Sequence, residues 1–291
     1  MQPRDLAIVE LAYRLRVVSV SQVAALLFPS KGGGVSTQCR QRLRLLAASG
    51  YLERIEQPMR LHEGRLPYVY LLGPAGCQLL TDELGYEPED IDWKPAYNRV
   101  KWFPLLDHQL ALNDVYVAFS LGAKRVGWEV KQWVDDRLLR RAHATDRVTV
   151  TDPDGRTHEA ALVPDAYMIL GFPDPLTGEE RWLHFFVEVD RATELVADTN
   201  IQRRSWQRHI RAYQAYLDSA AVLARYKTQS IRVLTVTTGV RRLESLRSVT
   251  QAEGGRSRYW FTTQSELSPT TSVNAPIWLK AEGDERVALK R

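Results

Sequence analysis

Cysteine is scarce in this sequence, and the histidines do not form the patterns of zinc enzymes. Two cysteines, Cys39 and Cys77, occur among 291 residues. They provide neither a disulfide framework nor a Cys-rich zinc site, and we expect both to be reduced, buried thiols. The six histidines form no H-x-H cluster and no H-E-x-x-H motif, which weighs against a zinc hydrolase and against a relaxase with paired histidines.

The sequence also lacks long apolar runs. No stretch is long and apolar enough to cross a bilayer, and the first ten residues have neither the basic start nor the apolar run of a signal peptide. We therefore expect a soluble, cytoplasmic protein with no membrane partner. Hydrophobic residues make up 44% of the chain, enough to bury a core, and 291 residues suit two modest domains better than one.

Positive charge is concentrated in the first quarter of the chain. Residues 1–73 contain ten Lys/Arg and five Asp/Glu, a net charge of +5, whereas the remaining residues contain 29 and 30, a net charge of −1. A basic excess in one module is expected where that module contacts a polyanion. A solvated basic face without a ligand is the alternative.

The N-terminal pattern predicts three helices followed by a strand hairpin. Apolar spacing predicts two helices before residue 29, the second capped by Ser19 with Gln22, and a third that begins at Ser36 or Thr37 and ends at Gly50. Two alternating strands and a further helix follow as far as residue 85. This order is typical of a winged helix-turn-helix, and we predict such a DNA-binding domain over residues 1–90.

The third helix carries the candidate DNA-binding residues. Its apolar positions share one face, and its outward face presents hydroxyl, amide and guanidinium groups suited to base edges and phosphates in a major groove: Thr37, Gln38, Arg40, Gln41 and Arg44. We expect Arg60 and Arg65, at the turn of the hairpin, to lie on the phosphate backbone. Duplex DNA is the predicted partner, and a winged helix used only for protein contacts is the alternative.

The rest of the chain predicts an α/β (α+β) domain. Residues 91–104 are rich in proline, acidic and aromatic residues and have no periodicity, so we predict a linker there and a second domain over 105–291. Helix, strands, helix and strand follow in the order of a central mixed sheet flanked by helices. We expect a hairpin whose second arm continues to residue 172, and one long helix over 200–226.

Three carboxylates converge in this predicted sheet. In the strand RWLHFFVEVDR, side chains alternate across the sheet, so Glu188 and Asp190 share one face, beside Asp165 of the preceding strand. The carboxylates bind a metal, with or without catalysis, or Glu188 and Asp190 instead form ion pairs with Arg203, Arg204 or Arg208 on the next helix. Tyr213 and Tyr216 have the spacing of helix core residues rather than of a nucleophile.

Several segments together resemble the replication-relaxation family of mobile-element proteins: YVYLLGPAGCQLL, DHQLALNDVYVAF, VPDAYMIL, FFVEVDRATE and RAYQAY. The resemblance covers most of the chain. It implies a role in plasmid or mobile-element replication, relaxation or mobilisation, and a second domain similar to the PD-(D/E)xK nuclease fold. Replication, relaxase or transposition proteins are then expected partners, and winged-helix proteins often bind palindromes as homodimers.

The nuclease resemblance carries over at two positions and departs at a third. Pro164-Asp165 and Glu188 match the metal-binding acids, whereas Asp190 stands where the motif has lysine. Three carboxylates are suited to Mg²⁺, but the exchange of lysine for an acid places another negative charge beside a scissile phosphate. His184 or His209, or Arg204 or Arg208, are candidates to take the place of the lysine.

Three functions follow as hypotheses. The first is a DNA-binding accessory or regulatory protein whose nuclease-like domain is degenerate. The second is a Mg²⁺-dependent DNA endonuclease, in which Asp165 and Glu188 bind the metal and Asp190 completes the catalytic set. The third is a scaffold that binds only proteins.

Overall fold

The computed structural model describes residues 1–29, 35–57, 64, 66–94, 103–142, 146–151, 155–197 and 205–290. The chain divides into two compact units, residues 1–117 and 118–291. This division falls inside a helix, whereas the predicted linker is 91–104. Most of that linker, residues 95–102, lies outside the described residues, so the predicted domain boundaries stay predictions.

The first unit contains helices and a three-stranded antiparallel sheet of order β1-β3-β2. Its elements, in chain order, are α1 (Pro3–Arg14), β1 (Val17–Ser19), α2 (Val20–Leu27), α3 (Thr37–Ala48), β2 (Leu52–Ile55), β3 (Val69–Leu72), α4 (Pro74–Leu84) and a 3-10 turn (Pro88–Asp90). The predicted helices and hairpin strands are therefore present, and β1 adds a strand between α1 and α2 that the sequence did not predict.

Local signals account for the ends of these helices. Ser19 and Gln22 form the predicted capping box: the Gln22 amide donates to Ser19 Oγ at 3.2 Å, and the Ser19 amide donates to Gln22 Oε1 at 2.9 Å. Ser36 caps α3 by accepting from the Cys39 amide at 3.3 Å. Gly50 follows α3 with φ of +75°, a conformation that favours glycine.

The second unit is built on a seven-stranded mixed sheet of order β12-β11-β10-β9-β8-β7-β4. The pairs β8–β9 and β9–β10 are parallel, and the other neighbours are antiparallel. Helices accompany this sheet, so the predicted α/β (α+β) class is confirmed. A two-stranded sheet, β5–β6, stands apart from it.

The remaining elements are α5 (Phe103–Arg125), which contributes to both units, β4 (Glu129–Asp135), α6 (Asp136–Ala142), β5 (Asp146–Thr151), β6 (Thr157–Leu162), β7 (Ala166–Pro173), β8 (Glu180–Asp190), α7 (Trp206–Leu217), α8 (Ala220–Tyr226), β9 (Ile231–Thr237), α9 (Val240–Ala252), β10 (Tyr259–Thr263), β11 (Trp278–Lys280) and β12 (Arg286–Val287).

Two expectations about this unit were wrong in detail. The second arm of the hairpin does not continue into β7: β6 pairs with β5, and β7 joins the large sheet, with Pro164 in the break. Proline lacks the amide that a continuous ladder needs. The predicted long helix is also divided, because α7 ends at Leu217 and Ser219, with extended backbone, caps the start of α8.

Helix α7 covers the face of β8 that carries Glu188. Phe186, two residues earlier on that face, lies 5.9 Å from the Tyr213 ring and 6.0 Å from the Tyr216 ring. Both tyrosines are buried, as predicted for core residues. The Trp206 indole donates to Thr250 Oγ1 at 2.9 Å, which links α7 to α9. The Glu188 carboxylate therefore lies under a helix and not on an open sheet.

Among the described residues, no helix combines the length and hydrophobicity needed to span a membrane.

Candidate functional site

The predicted outward face of α3 is exposed in the structure. Its inner residues, Cys39, Leu43 and Leu46, are buried in the first unit. All five predicted DNA-binding residues of this helix are exposed: Thr37, Gln38, Arg40, Gln41 and Arg44. The helix therefore presents hydroxyl, amide and guanidinium groups to solvent along about two turns.

Arg42 has a different role from the other arginines of α3. Its Nε donates to Asp5 Oδ1 at 2.9 Å, and its Nη2 bonds to the other carboxylate oxygen. Burial raises the pKa of Asp5, but the bonds from Arg42 and the Gln2 amide outweigh it, so the pKa lies below its usual value. Arg42 thus fixes α3 to α1.

Arg54 is an exposed cation that the sequence analysis did not select. It lies on β2, paired in register with Tyr70 of β3, and its guanidinium lies 4.5 Å from the centre of the Tyr68 ring. Its position in an alternating strand was the available signal. The predicted phosphate contacts Arg60 and Arg65 lie outside the described residues and stay predictions.

In the second unit, Asp165 lies just before β7 and faces β8. Its Oδ2 accepts from the Val189 amide at 2.8 Å, and its backbone carbonyl accepts from the Asp136 amide at 3.0 Å. Ala166 pairs with Val187 in the antiparallel register, so Asp165 lies opposite Glu188. The structure therefore brings these two predicted residues together.

Glu188 is buried against α7. Its Oε1 accepts from the Tyr213 hydroxyl and lies 3.1 Å from His209 Nε2. That nitrogen is buried, although the His209 side chain is 31% exposed, so the ring stands at the rim of the cluster. Burial raises the pKa of Glu188, and neighbouring Asp165 adds to the effect.

Asp190 is held by an arginine from α9. Arg242 Nε donates to Oδ2 at 2.9 Å and Nη2 donates to Oδ1 at 2.7 Å, and Thr237 Oγ1 also donates to Oδ2 at 2.7 Å. The Arg242 and Asp190 side chains are 17% and 10% exposed. A two-pronged pair of this kind is directional and shielded from solvent.

The family model for replication-relaxation proteins matches residues 10–231, three quarters of the chain, a range that includes α3 and all three carboxylates. The chain belongs to the replication-relaxation family. A search of curated proteins found no match, and a search of solved structures found none either.

In this replication-relaxation protein, Glu188 lies 3.1 Å from His209, and Asp190 pairs with Arg242. Arg208 lies 3.3 Å from His158, and Arg203 and Arg204 are outside the described residues, so the predicted ion pairs with these three arginines stay predictions. His184 does share the face of Glu188, but its Nδ1 lies 2.7 Å from the Tyr167 hydroxyl. His209 was a candidate from the sequence, and Arg242 was not.

The donor set fits a three-carboxylate metal site poorly. Within the described ranges, no group of three or more His, Cys, Asp and Glu side chains is arranged to hold a metal ion. Both oxygens of Asp190 bond to Arg242, and one oxygen of Asp165 bonds to a backbone amide. Mg²⁺ binding by Asp165 and Glu188, and catalysis with Asp190, stay predictions.

Proposed function

We propose that this replication-relaxation protein binds duplex DNA through its first unit, as an accessory or regulatory protein of plasmid or mobile-element replication, relaxation or mobilisation. The exposed polar and basic face of α3 is the observation that carries this proposal. A helix of about 12 Å diameter fits a major groove, where such groups contact base edges and phosphates.

The rest of the first unit supports a winged helix-turn-helix. Three helices precede a hairpin formed by β2 and β3, which pair antiparallel. The recognition helix would be α3, held against α1 by Arg42 and Asp5, and the hairpin would follow the phosphate backbone with Arg54, Arg60 and Arg65. A homodimer on a palindromic site is part of this proposal.

For the second unit, we propose a nuclease-like PD-(D/E)xK domain that has lost catalysis. Asp190 stands at the lysine position of the motif and is occupied by Arg242. The guanidinium and the carboxylate of this pair cancel each other's charge, so the pair does not supply the positive charge that the lysine of the motif places beside a scissile phosphate. This unit would then contact replication, relaxase or transposition proteins, or a second stretch of DNA.

A Mg²⁺-dependent endonuclease is the second candidate. It is favoured by the position of Asp165 opposite Glu188, with His209 Nε2 3.1 Å from the Glu188 carboxylate. Two carboxylates can hold a metal that activates water, and histidine can transfer the proton.

The double variant Arg40→Ala/Arg44→Ala should bind duplex DNA about tenfold to a hundredfold more weakly at low salt, because two exposed cations leave the DNA-facing surface. The plot of log affinity against log salt should also become shallower by about two, if each arginine contacts one phosphate. Fluorescence anisotropy with labelled duplexes, repeated at several salt concentrations, measures both quantities.

Arg125→Ala/Arg256→Ala is the matched control, because it removes the same charge from two exposed positions of the second unit. It should bind nearly as well as the wild type. Equal affinity of the Arg40/Arg44 variant and the wild type would refute DNA binding by α3 and would leave a protein-contact role for this unit.

Supercoiled plasmid incubated with the protein and Mg²⁺ or Mn²⁺ should remain uncut. Calorimetry should give the same metal-binding signal for the wild type and for Asp165→Asn. The physical reason is that the Asp190 carboxylate is already satisfied by Arg242 and Thr237. Metal-dependent nicking that disappears in Asp165→Asn would instead support the endonuclease, with duplex binding by α3 unaffected in either case.

A further inference from the structure

The exposed face of α3 has two chemically different edges. Successive helix residues are about 100° apart, so Arg40 and Arg44 follow one edge, and Leu45 lies about 140° from Arg40 on the other. Gln41 lies between the two edges, one turn before Leu45. The helix therefore separates its cations from its aliphatic side chain.

The hairpin next to α3 also carries an exposed arginine. Arg54 pairs in register with Tyr70, and its guanidinium lies over the neighbouring Tyr68. Helix α3 contacts β2, and Arg40, Arg44 and Arg54 are all exposed on these two elements. These arginines are suited to contacts with phosphates.

The opposite edge carries an exposed leucine. Leu45 is 48% exposed on a helix whose other outward residues are mostly polar, while Leu43 and Leu46 fill the core. The Leu45 side chain therefore contributes less to the core than the buried Leu43 and Leu46 side chains do. An aliphatic side chain on a groove-facing surface has a specific complement in duplex DNA, the 5-methyl group of thymine.

Gln41 supplies the matching polar contact. A glutamine amide donates to and accepts from the adenine edge, N6 and N7, in the major groove. Gln41 and Leu45 are four residues apart, about 6 Å along the helix axis, which corresponds to about two base-pair steps. One side chain can therefore meet adenine while the other meets a thymine methyl close by.

We propose that α3 recognises A·T base pairs through Gln41 and Leu45, while Arg40, Arg44 and Arg54 contact phosphates irrespective of sequence. This inference rests on the proposed DNA-binding function and deepens it. The preference for particular base pairs then comes from the edge of α3 that carries Leu45, and the binding site must contain A·T pairs.

The test begins with selection of tight-binding duplexes from a random pool by the full chain. Adjacent or near-adjacent A·T pairs are expected in the selected core. Each thymine of that site is then replaced in turn by uracil, which removes only the methyl group. Wild-type affinity should fall about three- to fourfold at one position, the effect of one methyl group that contacts an apolar side chain.

Replacement of thymine by uracil at that position should hardly change the affinity of Leu45→Ala, because this variant already lacks the aliphatic contact. Leu176→Ala, a change at a leucine that is 93% exposed in the second unit, is the matched control and should keep the full methyl effect. In parallel, 7-deazaadenine removes the adenine N7 acceptor and should weaken the wild type more than Gln41→Ala.

Selected sites without A·T pairs, or an equal uracil effect in the wild type and in Leu45→Ala, would overturn this inference. Duplex binding that depends on Arg40 and Arg44 would persist in that outcome, so the proposed function would stand. If the wild type binds no duplex at all, both the proposed function and this inference are wrong.

Discussion

Arg242→Met is expected to destabilise the second unit by about 2–4 kcal/mol, because it leaves the Asp190 carboxylate buried without its main partner. Arg242 provides two of the bonds to this carboxylate, at 2.9 and 2.7 Å, and Asp190 is only 10% exposed. Methionine keeps most of the aliphatic volume, so the loss reports the charge pair more than packing. Denaturant unfolding of the full chain measures the change.

Arg241→Met is the matched control for this experiment. The two arginines are neighbours in the first turn of α9, but Arg241 is exposed, and a change at such a position should stay within about 0.5 kcal/mol. Tryptophan fluorescence follows mainly the second unit, because six of the eight tryptophans lie in residues 118–291.

The double variant Asp190→Asn/Arg242→Met should regain much of the stability lost in Arg242→Met, since the unpaired charge is gone. If Arg242→Met costs no more than Arg241→Met, the pair contributes nothing and Asp190 is open to other ligands. The experiment therefore tests directly whether Arg242 of α9 stabilises the second unit.

Features that depend on neighbouring residues were predictable from the sequence. The Ser19 capping box, the helical period of α3 and the strand that carries Glu188 each rest on contacts within a few positions. Such contacts join residues that are close in the sequence, so a short segment contains the information they need. The exposed face of α3 was identified correctly for this reason.

Contacts between distant segments were not predictable in the same way. Asp190 and Arg242 are 52 positions apart, and they meet because β8 pairs in parallel with β9, which places Asp190 beside Thr237, five residues before Arg242. The alternation of β8 predicted one apolar side and one side with carboxylates. In the structure every residue from Phe185 to Val189 is buried, because α7 places aromatic residues against the carboxylate side as well. Periodicity within a strand cannot show what covers it.

His209 should titrate above the usual histidine pKa of 6.5 in the wild type and below it in Glu188→Gln. Burial, the largest single influence, lowers the pKa of this ring, but the Glu188 carboxylate 3.1 Å away, with weaker contributions from Asp165 and Glu194, raises it above the usual value. Glutamine keeps a polar partner for the Tyr213 hydroxyl and removes the negative charge that raises the pKa most, so we expect burial to outweigh Asp165 and Glu194 in this variant.

This exchange of sign should also appear in stability. Because its pKa is raised, His209 keeps a proton in the folded wild type at pH values above about 6.5, where the unfolded chain releases it. This contribution to the free energy of unfolding is therefore fully present below about pH 6.5 and is lost as the pH rises. The slope is at most about 1.4 kcal/mol per pH unit. The raised pKa of Glu188 acts in the same direction at lower pH. In Glu188→Gln, stability should be level above about pH 6.5 and fall as pH drops below it.

Ring-proton NMR of the histidines measures the pKa directly. Denaturant unfolding at several pH values between about 5.5 and about 8.5, on either side of the usual histidine pKa, measures how the free energy of unfolding changes with pH. His184 is an internal control: burial lowers its pKa and its partner is Tyr167, so it should titrate below the usual value in both proteins. Identical His209 titration in the wild type and in Glu188→Gln would show that the carboxylate and the ring do not interact. The same result would mean that His209 neither stabilises the Glu188 carboxylate nor exchanges a proton with it.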